Sequence, residues 1–530
     1  QLRALLCTDY ARDRAAVVDA TTATATIKGT LQTRLDQDAI RTVDGSDIIT
    51  ITHALHGLSA GASINISEAG TVGGISASNI NGDQTIVEIL DENTYTVDTS
   101  HTANATEDGG CAPLIKSTAA TFDWYEQSYS AYRGFPQAIT FHEDRLWFAG
   151  TPSQPDAIWG SRTGQYFNFY LGKAEDSDSI DLDASIGVTN QIRHLVSNRD
   201  LQVFASQQEF FIPSFQEKAV TPANAKISAQ TPFGSGFVRP QSLDGATLFV
   251  QATGTAIREF LFADAEGAYV GDVVSLASSH LVDDPVQMAT VKGSLSRPGA
   301  YAFFLNSNGE IAVFYSIRNE KRAGWMRWTT SGKFHSVCSV DEDLFCISVR
   351  DEGDGTERLY LEQFKTDMNM DFADDFTGTA GVFDVSSHFA NGAEVDVVDG
   401  TEYLGTFTVA SGNLDVSAVK QSTSVQAGYK MDVELKTLPI DGAIAGGPLT
   451  GSPRKITAIV VDIEDTLSMK VNGKEMIIRN VNDDMSEGRT PVTEKREFHA
   501  LGYSRDPRVT ITQSAPLDLQ INGMVVEVAF

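Results

Sequence analysis

The sequence predicts a mainly β protein, a β-propeller with inserted small β-barrel or sandwich modules. Three observations predict it. First, short apolar strands come in pairs across turns: Leu201-Gln-Val-Phe before Gln207 to Ile212, Leu248-Phe-Val before Ile257 to Phe262, Tyr301 to Leu305 before Ile311 to Phe314, and Leu344 to Val349 before Arg358 to Leu361. Second, the pairs recur. Counted from Leu146, their inner strands begin at Leu201, Leu248, Phe303 and Leu344, giving steps of 55, 47, 55 and 41 residues. Sheets repeating at roughly 40–50 residues are the mark of propeller blades. A β-sandwich shows similar alternation but turns every 8–12 residues or so. Third, two stretches change texture to Gly, Ser, Thr and Asn with clean period-two alternation, which marks small β modules set into the repeat.

Taken in order, residues 1–44 are mixed and lead into a strand near Ile40; they are expected to contribute to the propeller. Residues 45–111 form the first inserted module. Ile48-Ile-Thr-Ile, Ala62-Ser-Ile-Asn-Ile, Thr85 to Ile89 and Thr94-Tyr-Thr-Val alternate between glycine- and asparagine-rich turns. Residues 112–372 hold the blades. The first opens at Gly134-Phe-Pro and turns through Thr151-Pro-Ser-Gln-Pro-Asp. Residues 373–437 form a second module, with turns at Asp399-Gly and Ser411-Gly-Asn. Its start near His388 repeats the pattern at His56: a histidine, then Gly-Ala, then β-branched residues. Residues 438–530 return to strands (455–463, 508–512 and 519–530), expected to close the propeller because closure removes exposed edges.

At 530 residues the chain is long enough for several cores, and 42% hydrophobic with 21% charged residues is ordinary for a folded protein. No run of 18 or more apolar residues provides a membrane-spanning helix, and residues 1–10 lack a signal-peptide core. Four cysteines (Cys7, Cys111, Cys338, Cys346) are scattered without metal-knuckle spacing, and Cys338 and Cys346 read as core thiols. That usage fits a chain folded in a reducing cytoplasm. Forty Lys and Arg against 70 Asp and Glu give a net charge of −30. Binding to a phosphate backbone depends on cations, so this balance excludes a dedicated nucleic-acid binder.

Gly134-Phe-Pro, Phe141 to Gly150 with Arg145-Leu-Trp-Phe-Ala-Gly, Ile158-Trp-Gly-Ser and Tyr166-Phe-Asn-Phe resemble the nozzle protein (tail tubular protein B) of short-tailed, podovirus-type bacteriophages. Asn190-Gln-Ile-Arg-His-Leu, Thr221-Pro-Ala-Asn-Ala, Gly324-Trp-Met-Arg-Trp, Ala427-Gly-Tyr and Ser514-Ala-Pro-Leu-Asp-Leu extend the same pattern, so the resemblance spans about residues 131–530. It implies a structural virion protein in the tail, assembled in the host bacterial cytoplasm. It further implies a homo-hexamer below an adaptor (tail tubular protein A-like) ring, attached to tail fibres or other distal tail proteins. Double-stranded DNA would pass through the lumen without specific binding. His56-Gly-Leu, the following Gly-Ala and Asn93-Thr-Tyr-Thr-Val resemble small inserted modules of other phage tail proteins.

The residues were also read for chemistry. There is no Gly-x-Ser-x-Gly, P-loop, dinucleotide fingerprint or His-Glu-x-x-His. No catalytic, cofactor-binding or metal-binding residue is assigned, no cofactor is expected, and the chain is read as a non-enzyme. His53 and His56 lack a third ligand nearby and read as packing residues. The acidic stretch 175–183 lacks the glycine of a calcium loop and reads as a solvated or edge-protecting segment. Arg133, Arg145 and Arg193 with Tyr132 match a sialidase-like set on paper, but salt-bridge roles explain them more simply. Trp124, Trp147, Trp159, Trp325 and Trp328 read as core. The alternatives to a tail protein are a carbohydrate-binding propeller (lectin or adhesin) and a propeller glycoside hydrolase.

Overall fold

A computed structural model describes residues 14–19, 24–120, 129, 134–171, 174–184, 190–214, 219–293, 299–351, 355–440, 443–444, 447–448, 452–479, 488–499 and 502–529. It divides into two compact units, residues 1–234 and 235–530. The described chain is almost entirely β.

Five successive antiparallel meanders carry the expected repeat. Two lie in the first unit: Ala138–His142, Arg145–Ala149, Ala157–Gly160, Ile180–Asp183, and then Ile192–Ser197, Leu201–Ala205, Glu209–Ile212, Ser228–Thr231. Three lie in the second: Gln241–Leu243 to Ala268–Val273, Pro285–Val291 to Arg322–Trp328, and the three-stranded Lys333–Val340, Asp343–Asp351, Glu357–Gln363. This is blade topology. The strands that set the period in the sequence are the second strand of each sheet.

Packing explains why those second strands look uniformly apolar. In Ala300–Asn306 and Ile311–Ile317, Ala302, Phe304, Ala312 and Phe314 pack on the third sheet, while Phe303, Leu305, Ile311 and Val313 pack on the fifth. Both faces are covered, so alternation disappears. In the first unit, Trp147, Ala149 and Ile158 of the first sheet pack against Leu195, Val203, Phe210 and Ile212 of the second. Two glycines of the opening motif allow close approaches, one within the first blade and one to the second. Gly134 (φ +85) sits where a Cβ would overlap the Pro152 ring, and Gly150 (φ +65) where it would overlap the Ile192 carbonyl oxygen of the next sheet.

The first module folds around Ile49, Ile51, Ile64, Ile66, Tyr95 and Val97. Its sheet runs past both expected boundaries. Thr24–Arg34 pairs with Leu114–Ala120, which pairs with Ser63–Ser67. Residues 24–34, expected in the propeller, therefore run with the module, which leaves no edge of Ser63–Ser67 open on that side. The second module has its own core of Phe376, Phe383, Val395, Val397 and Val425.

The C-terminal strands also pair differently from the expected closure. Lys455–Thr466 lies between Val492–His499 and Gln520–Ala529, and Glu434–Lys436 joins Thr510–Thr512. Among the described residues none of these pairs with a blade. The two sheets bury Ile459, Val461, Met469, Val471 and Ile511 against each other, so their apolar faces are satisfied without a blade. Cys346 is buried as expected, but Cys338 is exposed. Cys346 pairs with Val337, so Cys338, one residue on, points to the opposite face.

Gly150→Ala forces a left-handed alanine into the Ile192 carbonyl. It is expected to cost about 2–3 kcal/mol in urea unfolding of the first unit; a change below about 0.5 kcal/mol contradicts the packing described.

Candidate functional site

The first blade presents the most distinctive surface. Ile139 pairs with Phe148 and Phe148 with Trp159, so the three share one face across three strands. Phe169 packs on Phe148 and Tyr129 on Trp159, at 5.6 and 5.3 Å between rings. Beyond this small core the face stays open. Phe141 is 60% and Phe167 77% exposed, with Phe135 and Ile139 exposed beside them in the motif. Phe141 meets Tyr166 edge-on at 5.2 Å. The loop that carries Tyr166 and Phe167 is fixed by Arg162 N–H donating to the Asn168 carbonyl (2.8 Å) and Tyr170 N–H donating to Asn168 Oδ1 (3.0 Å). Exposed aromatics clustered on a rigid sheet are what protein contact surfaces use as anchors.

Arg145, the first residue of Arg145-Leu-Trp-Phe-Ala-Gly, is 1% exposed. Its guanidinium donates to the carbonyls of Ser161 (2.6 Å), Asp178 (2.5 Å) and Asp176 (2.7 Å). Arg162 pairs with the buried Asp178 carboxylate at 2.7 Å, and that carboxylate also accepts Glu175 N–H. Of the acidic residues in the stretch 175–183 only Asp178 is buried, against Arg162; Glu175, Asp176, Asp181 and Asp183 are exposed, and Ile180–Asp183 is the edge strand of its sheet. Arg145 is consumed in this clamp and faces no open site. Arg193 lies in the second blade; Arg133, Tyr132, Trp124 and Cys7 lie outside the described residues. Trp147 and Trp159 are buried, and Trp325 and Trp328 pack on Phe314 and Phe364.

His142 ends the first strand of the first blade and is buried. Its Nδ1 lies 2.9 Å from Ser197 Oγ and its Nε2 2.6 Å from Ser214 Oγ. Burial lowers its pKa in spite of Glu143 and Asp200 nearby. A nucleophile–base pair needs a third group, usually a carboxylate, orienting the base. Here the far nitrogen meets a second hydroxyl, so the histidine ties the first blade to the second.

His53 and His56 sit with Tyr95 in the first module, ring centroids 5.1–6.1 Å apart. His56 Nδ1 accepts Leu58 N–H and its Nε2 meets the Asp91 carbonyl, so its ring holds a turn. Among the described residues no group of three or more His, Cys, Asp or Glu is arranged to hold a metal ion.

A second buried arginine was not marked in the sequence. Arg350 is 4% exposed and donates to Glu362 and Asp371, both at 2.9 Å, and to Ser331 Oγ. Its guanidinium carbon lies 4.5 Å from the Phe372 ring centroid. Glu362 belongs to the fifth blade and Asp371 begins the second module, so Arg350 joins the two. An arginine in a strand that otherwise reads Leu-Phe-Cys-Ile-Ser-Val was the available signal. For the exposed aromatics the signal was Ala138–His142, where Ile139 and Phe141 share one face and Ala138, Thr140 and His142 the other.

Protonation of His53 makes a pH prediction. Burial, with His56 adding to it, lowers its pKa from 6.5 to about 4. Between those values the unfolded chain binds the proton and the folded one does not, so stability rises with pH. It is complete above about pH 6.5 and falls as the pH drops toward 4, by about 3 kcal/mol at pH 4. Unfolding of the first module followed against pH should show this loss, and His53→Phe should remove it; equal slopes in both proteins contradict the assignment.

Residues 137–445 match the family described as bacteriophage nozzle protein. A search of curated proteins gave no match. Similar solved structures include YCF48 bound to D1 peptide (10% identity, 59% of this chain and 97% of that one, TM-score 0.25). The phage phi92 endosialidase (12%, 82% and 64%, TM-score 0.19) and BamB from Moraxella catarrhalis (10%, 76% and 98%, TM-score 0.23) are others. At such TM-scores they carry no argument about function. The family match covers more than half of the chain and includes every blade, and on that ground the chain belongs to the bacteriophage nozzle protein family, a structural component of the phage tail.

Proposed function

We propose that this chain is the wall unit of a six-membered ring at the distal end of a short phage tail, continuing the DNA channel below the portal and adaptor. The observation that carries the proposal is the family match over the blade series. The blades supply stiffness, because the second strands of the first four are buried and the sheets interlock through aromatic cores. The open aromatic face around Phe141 and Phe167 supplies a contact for a neighbouring chain.

The charge balance suits passage rather than capture. Six copies at −30 each carry −180. Repulsion from carboxylates facing the lumen reaches about 10 Å at 0.1 M salt, which covers a duplex in a narrow pore. Attachment to the adaptor ring and to fibres falls to the modules and loops, which have cores of their own and can vary without disturbing the blades. Assembly takes place in the host cytoplasm, before or during attachment to the filled capsid.

Particles decorated with an antibody against this chain, imaged by electron microscopy, should show label and a six-fold ring below the capsid vertex. Phe141→Ser combined with Phe167→Ser should raise the concentration at which isolated rings dissociate at least about tenfold, because central aromatic anchors carry roughly 2 kcal/mol or more each. Label elsewhere on the particle contradicts the tail position; a ring unaffected by the double variant contradicts the contact.

A further inference from the structure

We infer that the outer edge of the fifth blade is a docking site for an extended segment of another tail polypeptide, which adds to it as a fourth β-strand. The first four blades each end on a fourth strand: Ile180–Asp183, Ser228–Thr231, Ala268–Val273 and Arg322–Trp328. The fifth ends on its third, Glu357–Gln363, and among the described residues no strand pairs with the far side of that one. Burial shows the consequence. The third strands of the other four blades, each with a fourth strand beside it, hold no exposed residue. In Glu357–Gln363 every second residue is exposed, and two of these are leucines, Leu359 at 66% and Leu361 at 76%.

The backbone of this edge is open at the same residues. Phe364 N–H donates to the Leu344 carbonyl at 2.9 Å. Bonded and unbonded pairs alternate along an antiparallel ladder, and the register runs without a bulge from the Phe345–Gln363 pair to the Asp351–Glu357 pair. Glu362, Tyr360 and Arg358 therefore bond inward. The N–H and C=O groups of Glu357, Leu359, Leu361 and Gln363 point to the open side. Such an edge is a template for another strand unless charge, proline, a bulge or a covering loop blunts it. At its centre stand Leu359 and Leu361, which are uncharged and exposed.

The occupant follows from this geometry. Open main-chain groups at alternate residues select an extended backbone, as in recognition by strand addition. Leu359 and Leu361 share a face with Val349 and Ile347, their cross-strand neighbours, so the incoming strand carries apolar side chains at alternate positions to continue that row. On the other face stand Arg358, Tyr360 and Glu362, with Glu362 held by Arg350, so the intervening side chains are polar. A second copy meeting this edge with its own would need a two-fold axis between neighbouring chains, which a cyclic ring of six lacks. The occupant is therefore a different tail chain. That choice rests on the ring reading; the site itself does not.

Hydrogen exchange over Glu357–Gln363 in the full-length protein tests the inference. The probe is the peptide acetyl-Ser-Thr-Val-Thr-Val-Thr-Ser-amide, and the control is the same peptide methylated on both valine nitrogens, which cannot donate to the edge. At about 1 mM the probe should slow exchange at Leu361 at least about threefold, and the control should leave it unchanged. Leu359→Pro removes an open N–H and keeps the inward ladder, as proline does on natural edges. Leu361→Lys keeps the backbone and puts a charge on the edge. Each should keep its circular dichroism spectrum and lose the slowing of the edge amides by the probe. In complete tails the amides of Leu359 and Leu361 should be protected, and in rings of this chain alone they should exchange as in the free chain. Equal slowing by both peptides, no slowing, slowing retained in both variants, or no protection in complete tails overturns the site. Protection in rings of this chain alone gives the edge to a second copy and overturns the choice of partner. The peptide arm needs no ring, so its failure and failure of the nozzle reading remain separable.

Discussion

Two-sided burial of the second strand in the first four meanders is the constraint on which the rest of the structure depends. A short four-stranded sheet that is apolar on both faces cannot leave either face in water without exposing a large apolar patch. It becomes stable when a neighbour covers each face, and the fourth blade shows both covers at once: Phe304 and Phe314 on one side, Phe303 and Val313 on the other. The same demand fixes close approaches elsewhere. Gly150 is glycine because a side chain there would hold the first blade off the second, and Gly134 because one would strike Pro152 in the first blade's own turn. The first blade's second face is covered only in part, by the core of Phe148, Trp159 and Phe169, and Phe141 and Phe167 stay exposed.

Electrostatics organises what burial leaves undecided. In a chain of net charge −30, the buried cations are few and each is placed where a loop or module must be held. Arg145 donates to three carbonyls of the first blade and so ties an acidic segment to its strand. Arg350 does the equivalent work with two carboxylates and fixes the second module to the fifth blade. Removing either guanidinium would orphan buried acceptors, which costs more than a surface pair ever contributes. These are joints of a rigid part, which fits a structural component of the phage tail.

Much of this was legible in the sequence because it follows from local pattern. The strand pairs, their spacing and the two modules rest on alternation and turn residues, and Leu201, Leu248 and Leu344 lie in second strands as expected. What was not legible depends on pairing between distant segments. Nothing local tells that Thr24–Arg34 pairs with Leu114–Ala120 around an inserted module, or that Lys455–Thr466 prefers Gln520–Ala529 to a blade edge. Cys338 was misplaced by a single residue of register, which is enough to turn a side chain to the other face. Arg145 was read as a salt-bridge partner because the sequence cannot distinguish a guanidinium paired with carboxylates from one facing three carbonyls.

Native-state hydrogen exchange by mass spectrometry tests the central claim most directly. If mutual burial of the meanders holds the blades together, the amides of Arg145–Ala149 and Leu201–Ala205 exchange slowest in the first unit and do so together. Those of Ala246–Val250 and Ala300–Asn306 behave alike in the second, while both inserted modules exchange with free energies of their own. Second strands exchanging as fast as the loops beside them, or blades of one unit opening one at a time, would contradict it.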